Sequence, residues 1–183
     1  DAVANAYVPS IIYVDGTLAL EDWEGADGEP QQFNLSQNIR NLSIIGVEDH
    51  ALLDGIGFVV HGTNIIIKNL TMTNGWMISG VEVNGGRYVH LTQCTFYGDP
   101  GSGNRFDEFT AIKNQARYVV FSWNYMYDDP EGRGLLIGSN DGVEALPNRS
   151  VILHHNWFRN VGTVHKLVRV GYFNKYYNYF EEL

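Results

Sequence analysis

Two adjacent histidines, His154 and His155, interrupt an apolar run, "VILHHNWF", that spans residues 151–158. Asn156 follows them directly. Neutral imidazole is a common metal ligand and titrates near physiological pH, so a histidine pair can serve a metal site or an acid–base step. The same residues can also be one turn of a repeated structural unit. The rest of the chain is needed to choose between these two interpretations.

The composition predicts one ordered domain over residues 1–183. Hydrophobic residues make up 44% of the chain and charged residues 18%, with 20 glycines, which is typical of a globular chain with many tight turns. The formal net charge of −9 argues against a general nucleic-acid binder, which needs a broad basic surface. No apolar run approaches the roughly 18 residues of a membrane span. The lone Cys94 excludes an internal disulfide framework and a cysteine-based zinc site.

Six short segments rich in β-branched and aromatic residues align with one another. They read NLSIIGV, NIIIKNLTM, YVHLTQCTF, YVVFSWNYM, SVILHHNWF and YFNKYYNYF, and they begin at Asn41, Asn64, Tyr88, Tyr118, Ser150 and Tyr172. Successive segments lie 22 to 32 residues apart, a spacing typical of solenoids, in which each repeat is buried against its neighbours. Because helical periodicity is scarce and the segments resemble strands, the predicted fold is an all-β parallel β-helix.

The alignment has three largely apolar columns and one polar column. The apolar columns are Leu42, Ile65, Val89, Val119, Val151 and Phe173; Ile44, Ile67, Leu91, Phe121, Leu153 and Lys175; and Met72, Phe96, Met126, Phe158 and Phe180. The polar column continues Leu70 and Cys94 with Asn124, Asn156 and Asn178. Stacked asparagines at a strand-to-strand bend predict a ladder in which each amide bonds the next.

The two histidines occupy positions whose chemistry varies between repeats. They align with Ser122 and Trp123 in the preceding segment and with a tyrosine pair in the following one. This variation favours a structural role for the pair over a two-histidine metal site. The two widest spacings contain the insertions "GDPGSGNRFDEFTAIKN" and "DDPEGRGLLIGSNDGVEALPN", and long insertions on a rigid scaffold are where functional sites tend to lie.

The chain resembles the pectate and pectin lyases of polysaccharide lyase family 1. The resemblance rests on "PSIIYVDGTL", "DEFTAIKN", "FSWNYM", "LLIGSND", "LHHNWFRNV" and "VRVGYFNKYYNYF", in this order, and covers nearly the whole chain. It implies a right-handed, single-stranded parallel β-helix with inserted loops. It also implies a secreted enzyme that cleaves polygalacturonate or pectin by β-elimination, with calcium bridging enzyme and substrate in the pectate lyases and an arginine as base.

β-Elimination of a uronate makes three chemical demands. The carboxylate next to the C5 proton must be neutralised, by calcium or by Arg and Lys side chains. A neutral base must reach that proton. Cations must also hold the polyanion in register.

The residues expected for these roles are only partly present. The resemblance aligns the family's calcium-binding carboxylates with Thr92, Asp107 and Ala111, so Asp107 is the one kept metal ligand, and calcium is a doubtful cofactor. Asp99, Glu108 and Asp129 lie near in sequence as possible replacement ligands. The family's substrate-binding lysine aligns with Arg133, and Lys113 is a further candidate substrate cation.

The family's arginine pair aligns with Val164 and Arg169, so the catalytic arginine is missing while the substrate-binding arginine is kept. His165 and Lys166 follow Val164 directly and are candidate bases, in one catalytic set with Arg169. Histidine is suited to this role at neutral pH, and neighbouring cations would lower the pKa of a lysine.

Three functional hypotheses follow. In the first, the chain is an active uronate lyase with a rearranged site and an acidic polysaccharide as its partner. In the second, the same scaffold is a carbohydrate-binding or structural protein that has lost its chemistry. A weaker third hypothesis is an adhesin-like β-helix that assembles through its sides, because the aromatic segment "YFNKYYNYFEEL" shows no evident cap. The solvated-loop interpretation of His165 and Lys166 also stays open.

Overall fold

Two curled sheets of parallel strands make up the fold. The computed structural model describes residues 8–20, 31–73, 78–98, 106–138, 150–168 and 172–182, without the side chains of 164–168. In this part of the chain, no helix is long and apolar enough to cross a membrane. The first sheet has seven strands in this order: β1 (Ser10–Val14), β4 (Arg40–Gly46), β7 (Thr63–Lys68), β10 (Arg87–Thr92), β13 (Arg117–Ser122), β15 (Ser150–His154) and β17 (Tyr172–Tyr176).

The second sheet has eleven strands and forms the other two walls. Its continuous path is β2 (Thr17–Ala19), β5 (Leu52–Asp54), β8 (Thr71–Thr73), β11 (Thr95–Tyr97), β14 (Tyr125–Ile137), β12 (Thr110–Lys113), β9 (Val81–Asn84), β6 (Ile56–Val60) and β3 (Gln31–Leu35), with β16 (Trp157–Val168) and β18 (Tyr179–Glu181) added beside β14. The long strand β14 pairs with β11 through residues 125–127 and with β12 through residues 135–137. It therefore joins the second wall to the third wall, which contains β3, β6, β9 and β12.

The strand registers confirm the predicted parallel β-helix and its apolar columns. Leu42 pairs with Ile65, which pairs with Val89, and the same column continues through β13, β15 and β17. Met72 and Phe96 are partners in the second sheet, as the third column requires. These inward-facing side chains are almost fully buried, apart from the partly buried Phe173 on β17, so successive turns bury a continuous core between the three walls.

The asparagine ladder is also confirmed. The Nδ2 of Asn124 donates to Oδ1 of Asn156 at 2.9 Å, and the Nδ2 of Asn156 donates to Oδ1 of Asn178 at 2.9 Å. The side-chain oxygens of the ladder also accept backbone N–H groups, since Asn156 Oδ1 accepts from the Asn124 nitrogen and Asn124 Oδ1 from the Cys94 nitrogen, both at 3.0 Å. The ladder therefore satisfies backbone groups at a bend that no strand pairing reaches.

The two histidines belong to the corner between the first two walls. His155 has a left-handed backbone, with a φ of 54°, and its ring stacks on Trp123 of the preceding turn, with centroids 4.2 Å apart. His154 stacks on Tyr176 of the following turn at 5.2 Å. The two Nδ1 atoms are 2.9 Å apart, so one imidazole donates its proton to the other. The pair therefore joins successive turns of the solenoid, which supports the structural interpretation of "VILHHNWF".

We expect the protein to lose stability below neutral pH because of His154 and of His90, a histidine on β10. Burial lowers the pKa of His90 and His154, and nearby cationic groups, among them His154 for His90 and His155 for His154, lower them further. A lowered folded-state pKa means that the stabilisation is complete above the unfolded value of about 6.5 and is lost as the pH falls through the folded value. The urea midpoint should fall between about pH 7.5 and about pH 5, and by less in His154→Gln. An equal fall in both proteins would contradict this role.

The two insertions were expected to be loops on the scaffold, but both contain strands. The first contains β12, and the second begins within β14, which continues past Pro130 to Ile137. Residues 99–105 of the first insertion, which include the candidate ligand Asp99, and residues 139–148 of the second lie outside the described residues. Parts of both insertions are thus strands of the third wall. This wall also carries the residues of the candidate site.

Candidate functional site

Buried phenylalanines anchor the acidic segment of the third wall. Phe106 and Phe109 flank Asp107 and Glu108, and both rings are almost fully buried. Their ring centroids are 5.2 Å apart, and both contact the ring of Phe96, at 6.4 and 5.9 Å. Because an anchor lies on each side, the two carboxylates between them are fixed at the start of β12.

A glycine on β14 leaves room for the Asp129 carboxylate, which contacts this segment. A Cβ atom at Gly132 would lie 2.0 Å from Oδ2 of Asp129, so a larger residue does not fit. The buried Asp129 carboxylate accepts the backbone N–H of Phe106 at 3.2 Å. One residue beyond the glycine, the Arg133 carbonyl accepts the backbone N–H of Phe109 at 2.8 Å. Backbone contacts on both sides therefore place Arg133 beside the acidic segment.

Arg133 forms an ion pair with both carboxylates of that segment. Its Nη1 atom donates to Oδ1 of Asp107 at 2.9 Å and to Oε1 of Glu108 at 3.1 Å. Its Nε and Nη2 atoms have no hydrogen-bond partner among the described residues, and 36% of its side chain is exposed. The guanidinium is therefore held from one side and open to solvent on another.

Glu108 is the buried member of this cluster. Only 2% of its side chain is exposed, and its Oε2 accepts the Ser79 hydroxyl at 3.1 Å. Burial raises the pKa of Glu108, and the negative charge of Asp107 raises it further, while Lys113, Arg133 and Ser79 oppose the rise. The buried carboxylate and its serine partner thus brace Arg133 from below.

A second ion pair lies beside the first on the same wall. Lys113 Nζ contacts Glu82 Oε2 at 2.9 Å, with only 21% and 16% of the two side chains exposed. The other Glu82 oxygen accepts Nδ2 of Asn84 at 2.8 Å. Glu82 is also the register partner of Ala111 on β12. The predicted substrate cations, Lys113 and Arg133, therefore belong to one cluster of alternating charges, and both are paired with carboxylates.

Two of the predicted catalytic residues, His165 and Lys166, belong to β16, on the turn that follows Arg133. β16 pairs with β14, with Thr163 opposite Arg133 and His165 opposite Leu135. The side chains of His165 and Lys166, and the whole of Arg169, lie outside the described residues. The backbone register therefore brings this segment to the turn next to Arg133, and the catalytic roles stay predictions.

Comparison with known proteins identifies the family. Residues 1–183, the whole chain, match the sequence family described as "Pectate lyase". The chain belongs to the pectate lyase family. It is 29% identical over 186 residues to a pectate trisaccharide-lyase of Bacillus licheniformis, an alignment that covers 98% of this chain and 51% of the relative. The chain thus spans about half the length of the curated relatives it matches.

Solved structures of pectate lyases share the fold. A Bacillus subtilis pectate lyase variant superposes with a TM-score of 0.75 at 20% identity, covering 94% of this chain and 61% of that one. A pectate lyase bound to a hexasaccharide gives a TM-score of 0.75 at 19% identity, covering 92% and 60%. At these identities the likeness establishes the parallel β-helix and leaves the chemistry to this chain's own residues.

The described residues of the site do not fit a calcium ion. Calcium takes six to eight oxygen ligands at roughly 2.3–2.6 Å, whereas the described cluster offers Asp107 and the buried Glu108, with Ala111 at the third expected position. One oxygen of each carboxylate already contacts the Arg133 guanidinium, whose positive charge would repel a divalent cation. A metal role for Asp107 stays a prediction, and this contact weighs against it.

Thr92, the other expected ligand position, lies in a different wall. It ends β10 in the first sheet, where it accepts the Ser122 hydroxyl at 3.0 Å, while His90 Nε2 lies 2.8 Å from the same Ser122 oxygen. The structure therefore does not bring Thr92 to Asp107. Ser79, which contacts Glu108, is the polar residue found near the acidic segment instead.

Two site residues were missed in the sequence. Ser79 and Glu82 lie before and within β9, a strand that the six-segment alignment omits. The signal was the alternation in "GVEVN", where Glu82 lies between the buried Val81 and Val83. A strand with that alternation exposes its polar residue on the outer face, so an alignment of "GVEV" with "FTAIK" would have placed Glu82 beside Ala111.

Proposed function

We propose that the chain forms the substrate cleft of a lyase that cleaves a uronate polysaccharide of the polygalacturonate or pectin type by β-elimination. The half-exposed Arg133 guanidinium, braced by Asp107 and Glu108 in a chain of the pectate lyase family, carries this proposal. Its Nε and Nη2 atoms have no partner among the described residues, and they have the fork geometry that donates two hydrogen bonds to a carboxylate.

The chemistry follows from that contact. A substrate carboxylate bound to Arg133 would share the guanidinium charge, so the carbanion that forms at C5 in the transition state is stabilised. Lys113 adds positive charge at the same wall, although its pairing with Glu82 means that it must exchange partners to contact substrate directly. Arg169 would hold a neighbouring uronate unit, as the resemblance implies.

We further propose that Arg133 takes the place of calcium in this site. The guanidinium already contacts one oxygen of each carboxylate that the metal would need, and its open edge offers hydrogen-bond donors to a substrate carboxylate at the same position. The reaction would therefore need no added divalent cation. Because polymeric pectin is extracellular, we place the protein outside the cell.

We assign the catalytic base to the segment after Val164, where His165 and Lys166 are the candidates. The pH dependence of kcat/KM distinguishes them. With His165 as base, kcat/KM should rise through about pH 6.5, the ordinary imidazole pKa. With Lys166, the rise should occur at higher pH, because a lysine must lose its proton first. We expect either His165→Ala or Lys166→Met to abolish turnover while leaving substrate binding intact. Full activity in both variants would exclude both residues as the base.

Carbohydrate binding without cleavage is the second candidate function. It is favoured by one observation, since Val164 stands where the family's catalytic arginine is expected. Arg133 and Lys113 would then bind the polyanion, and no residue would remove the C5 proton.

Ultraviolet absorbance of the unsaturated product separates the two functions. The full-length protein is incubated with polygalacturonate, methylated pectin and alginate, and binding is measured in parallel by calorimetry. We expect absorbance to grow on a galacturonate polymer. Binding without any absorbance change would establish the second function. Neither binding nor cleavage of any uronate polymer would exclude both.

A further inference from the structure

A cleft of about 430 Å³ lies on the outer face of the first sheet, in a different wall from the cation cluster. It spans the first three strands of that sheet, β1, β4 and β7, and its volume lies within the usual range for small-molecule sites. Its lining consists of Pro9, Ser10, Ile11, Asn41, Ser43, Asn64 and Ile66. No charged side chain is among these residues.

Two asparagines form a polar rim on one side of the cleft. Asn41 and Asn64 both have a left-handed backbone, with φ of 56° and 59°, and the Nδ2 of Asn64 donates to Oδ1 of Asn41 at 2.8 Å. The Nδ2 of Asn41, the Oδ1 of Asn64 and the Ser43 hydroxyl have no partner within the described part of the chain. Donors and acceptors thus stand side by side, which suits a ligand with several hydroxyl groups.

An aromatic ring lies on the turn next to that rim. Tyr88 follows Asn64 in the same corner column, since their flanking residues are register partners, and it is also left-handed, with a φ of 54°. One face of its ring stacks on Tyr118, with centroids 4.8 Å apart and planes at 11°. Because Tyr118 belongs to the following turn, the other face of Tyr88 is turned towards the Asn64 side. More than half of Tyr88 is exposed.

We propose that this cleft binds a neutral sugar ring. The apolar face of a pyranose or furanose fits the apolar floor, which includes Ile11 and Ile66, and the neighbouring aromatic face. Its hydroxyl groups fit the rim of amide and hydroxyl groups. A uronate is a poorer occupant, because no cationic side chain lines the cleft to balance the charge of its carboxylate. The site would hold a neutral branch or a neighbouring glycan while the third wall acts on uronate, and it does not depend on the lyase proposal.

Titration of the full-length protein with a neutral galactan oligosaccharide, followed by calorimetry and NMR, tests this site. Tyr88→Asn removes the ring and keeps a residue type that the same column accepts at left-handed φ. Asn64→Gly removes the amide and relaxes the backbone. We expect each variant to weaken binding by about tenfold. Tyr177→Asn is the matched control, because Tyr177 is an exposed tyrosine with a φ of 54° at another corner, and its affinity should equal that of the parent.

Three results would overturn the proposal. The first is no binding of the neutral oligosaccharide at millimolar concentration. The second is binding that both cleft variants leave unchanged. The third is displacement of the neutral sugar by trigalacturonate in the parent but not in Arg133→Ala, which would place the sugar in the uronate site. Loss of lyase activity in any of these proteins leaves the neutral-sugar measurement intact, so the two proposals fail separately.

Discussion

Replacing Arg133 with alanine is expected to lower kcat/KM on polygalacturonate by about 100-fold, because a charge-assisted hydrogen bond is worth about 1.5–3 kcal/mol. The reason is twofold. The substrate carboxylate loses the open Nε and Nη2 donors of the guanidinium. In addition, Asp107 and Glu108 lose the cation that they share, so their negative charge faces the polyanion without compensation.

Two further variants make this measurement specific. Arg133→Lys keeps the charge and loses the fork, so we expect an intermediate loss. Arg87→Ala removes an exposed arginine from the first sheet, which changes the net charge equally but should leave turnover unchanged. Thermal unfolding of each variant shows whether the fold is intact. An equal fall in turnover in Arg87→Ala and Arg133→Ala would show that the effect comes from net charge and not from a specific contact of Arg133.

Replacing Asn156 with alanine is expected to lower the free energy of unfolding by about 3 kcal/mol, since each buried group left unpaired costs about 1–3 kcal/mol. Asn156 Oδ1 accepts two N–H groups of Asn124, and its Nδ2 donates to the Phe121 carbonyl at 3.1 Å. The side chain is 1% exposed, so water cannot replace these bonds without opening the corner. The next turn loses support as well, because Asn178 is bonded to the same amide.

Asn34→Ala is the matched control for this ladder variant. Asn34 lies on β3 and is exposed, so the same chemical change should alter stability by less than about 0.5 kcal/mol. Urea unfolding followed by tryptophan fluorescence gives both values. Equal stability of the two variants would mean that the ladder does not hold the turns together.

The repeat was predictable because every turn of the solenoid requires similar residues at equivalent positions. Each turn must place a branched or aromatic residue over the one before it, so Ile65 and Val89 recur in register and are stacked in the fold. Asn124 and Asn156 recur for the same reason, as each bend presents the same unpaired backbone groups. Because the segments recur every 22 to 32 residues, the repeat can be recognised within this one sequence.

The third wall was less predictable because its strands are short and interrupted. β9 and β12 have four residues each, and β14 continues through Pro130, a residue that ordinarily ends a strand. Segments of this kind resemble loops in the sequence. Ser79 and Glu82 were therefore missed, and part of the third wall was assigned to insertions.

The pairing within the site could not have been deduced from residue types. Arg133 and Glu108 are 25 residues apart, and their contact depends on the register between β12 and β14 and on the Asp129 carboxylate, for which Gly132 leaves room. A one-residue slip would turn the guanidinium to the opposite face of the strand. The sequence predicted Arg133 and Lys113 as substrate cations without any partner for them, whereas the structure pairs both with carboxylates.

The direct test of Arg133 as the site's own cation is the initial rate of unsaturated-product formation from polygalacturonate by the full-length protein, measured once with a chelator and once with added calcium. We expect the two rates to be equal, and both to fall by about 100-fold in Arg133→Ala. A rate that disappears with the chelator and returns with calcium would contradict this role of Arg133. It would support Asp107 as a calcium ligand.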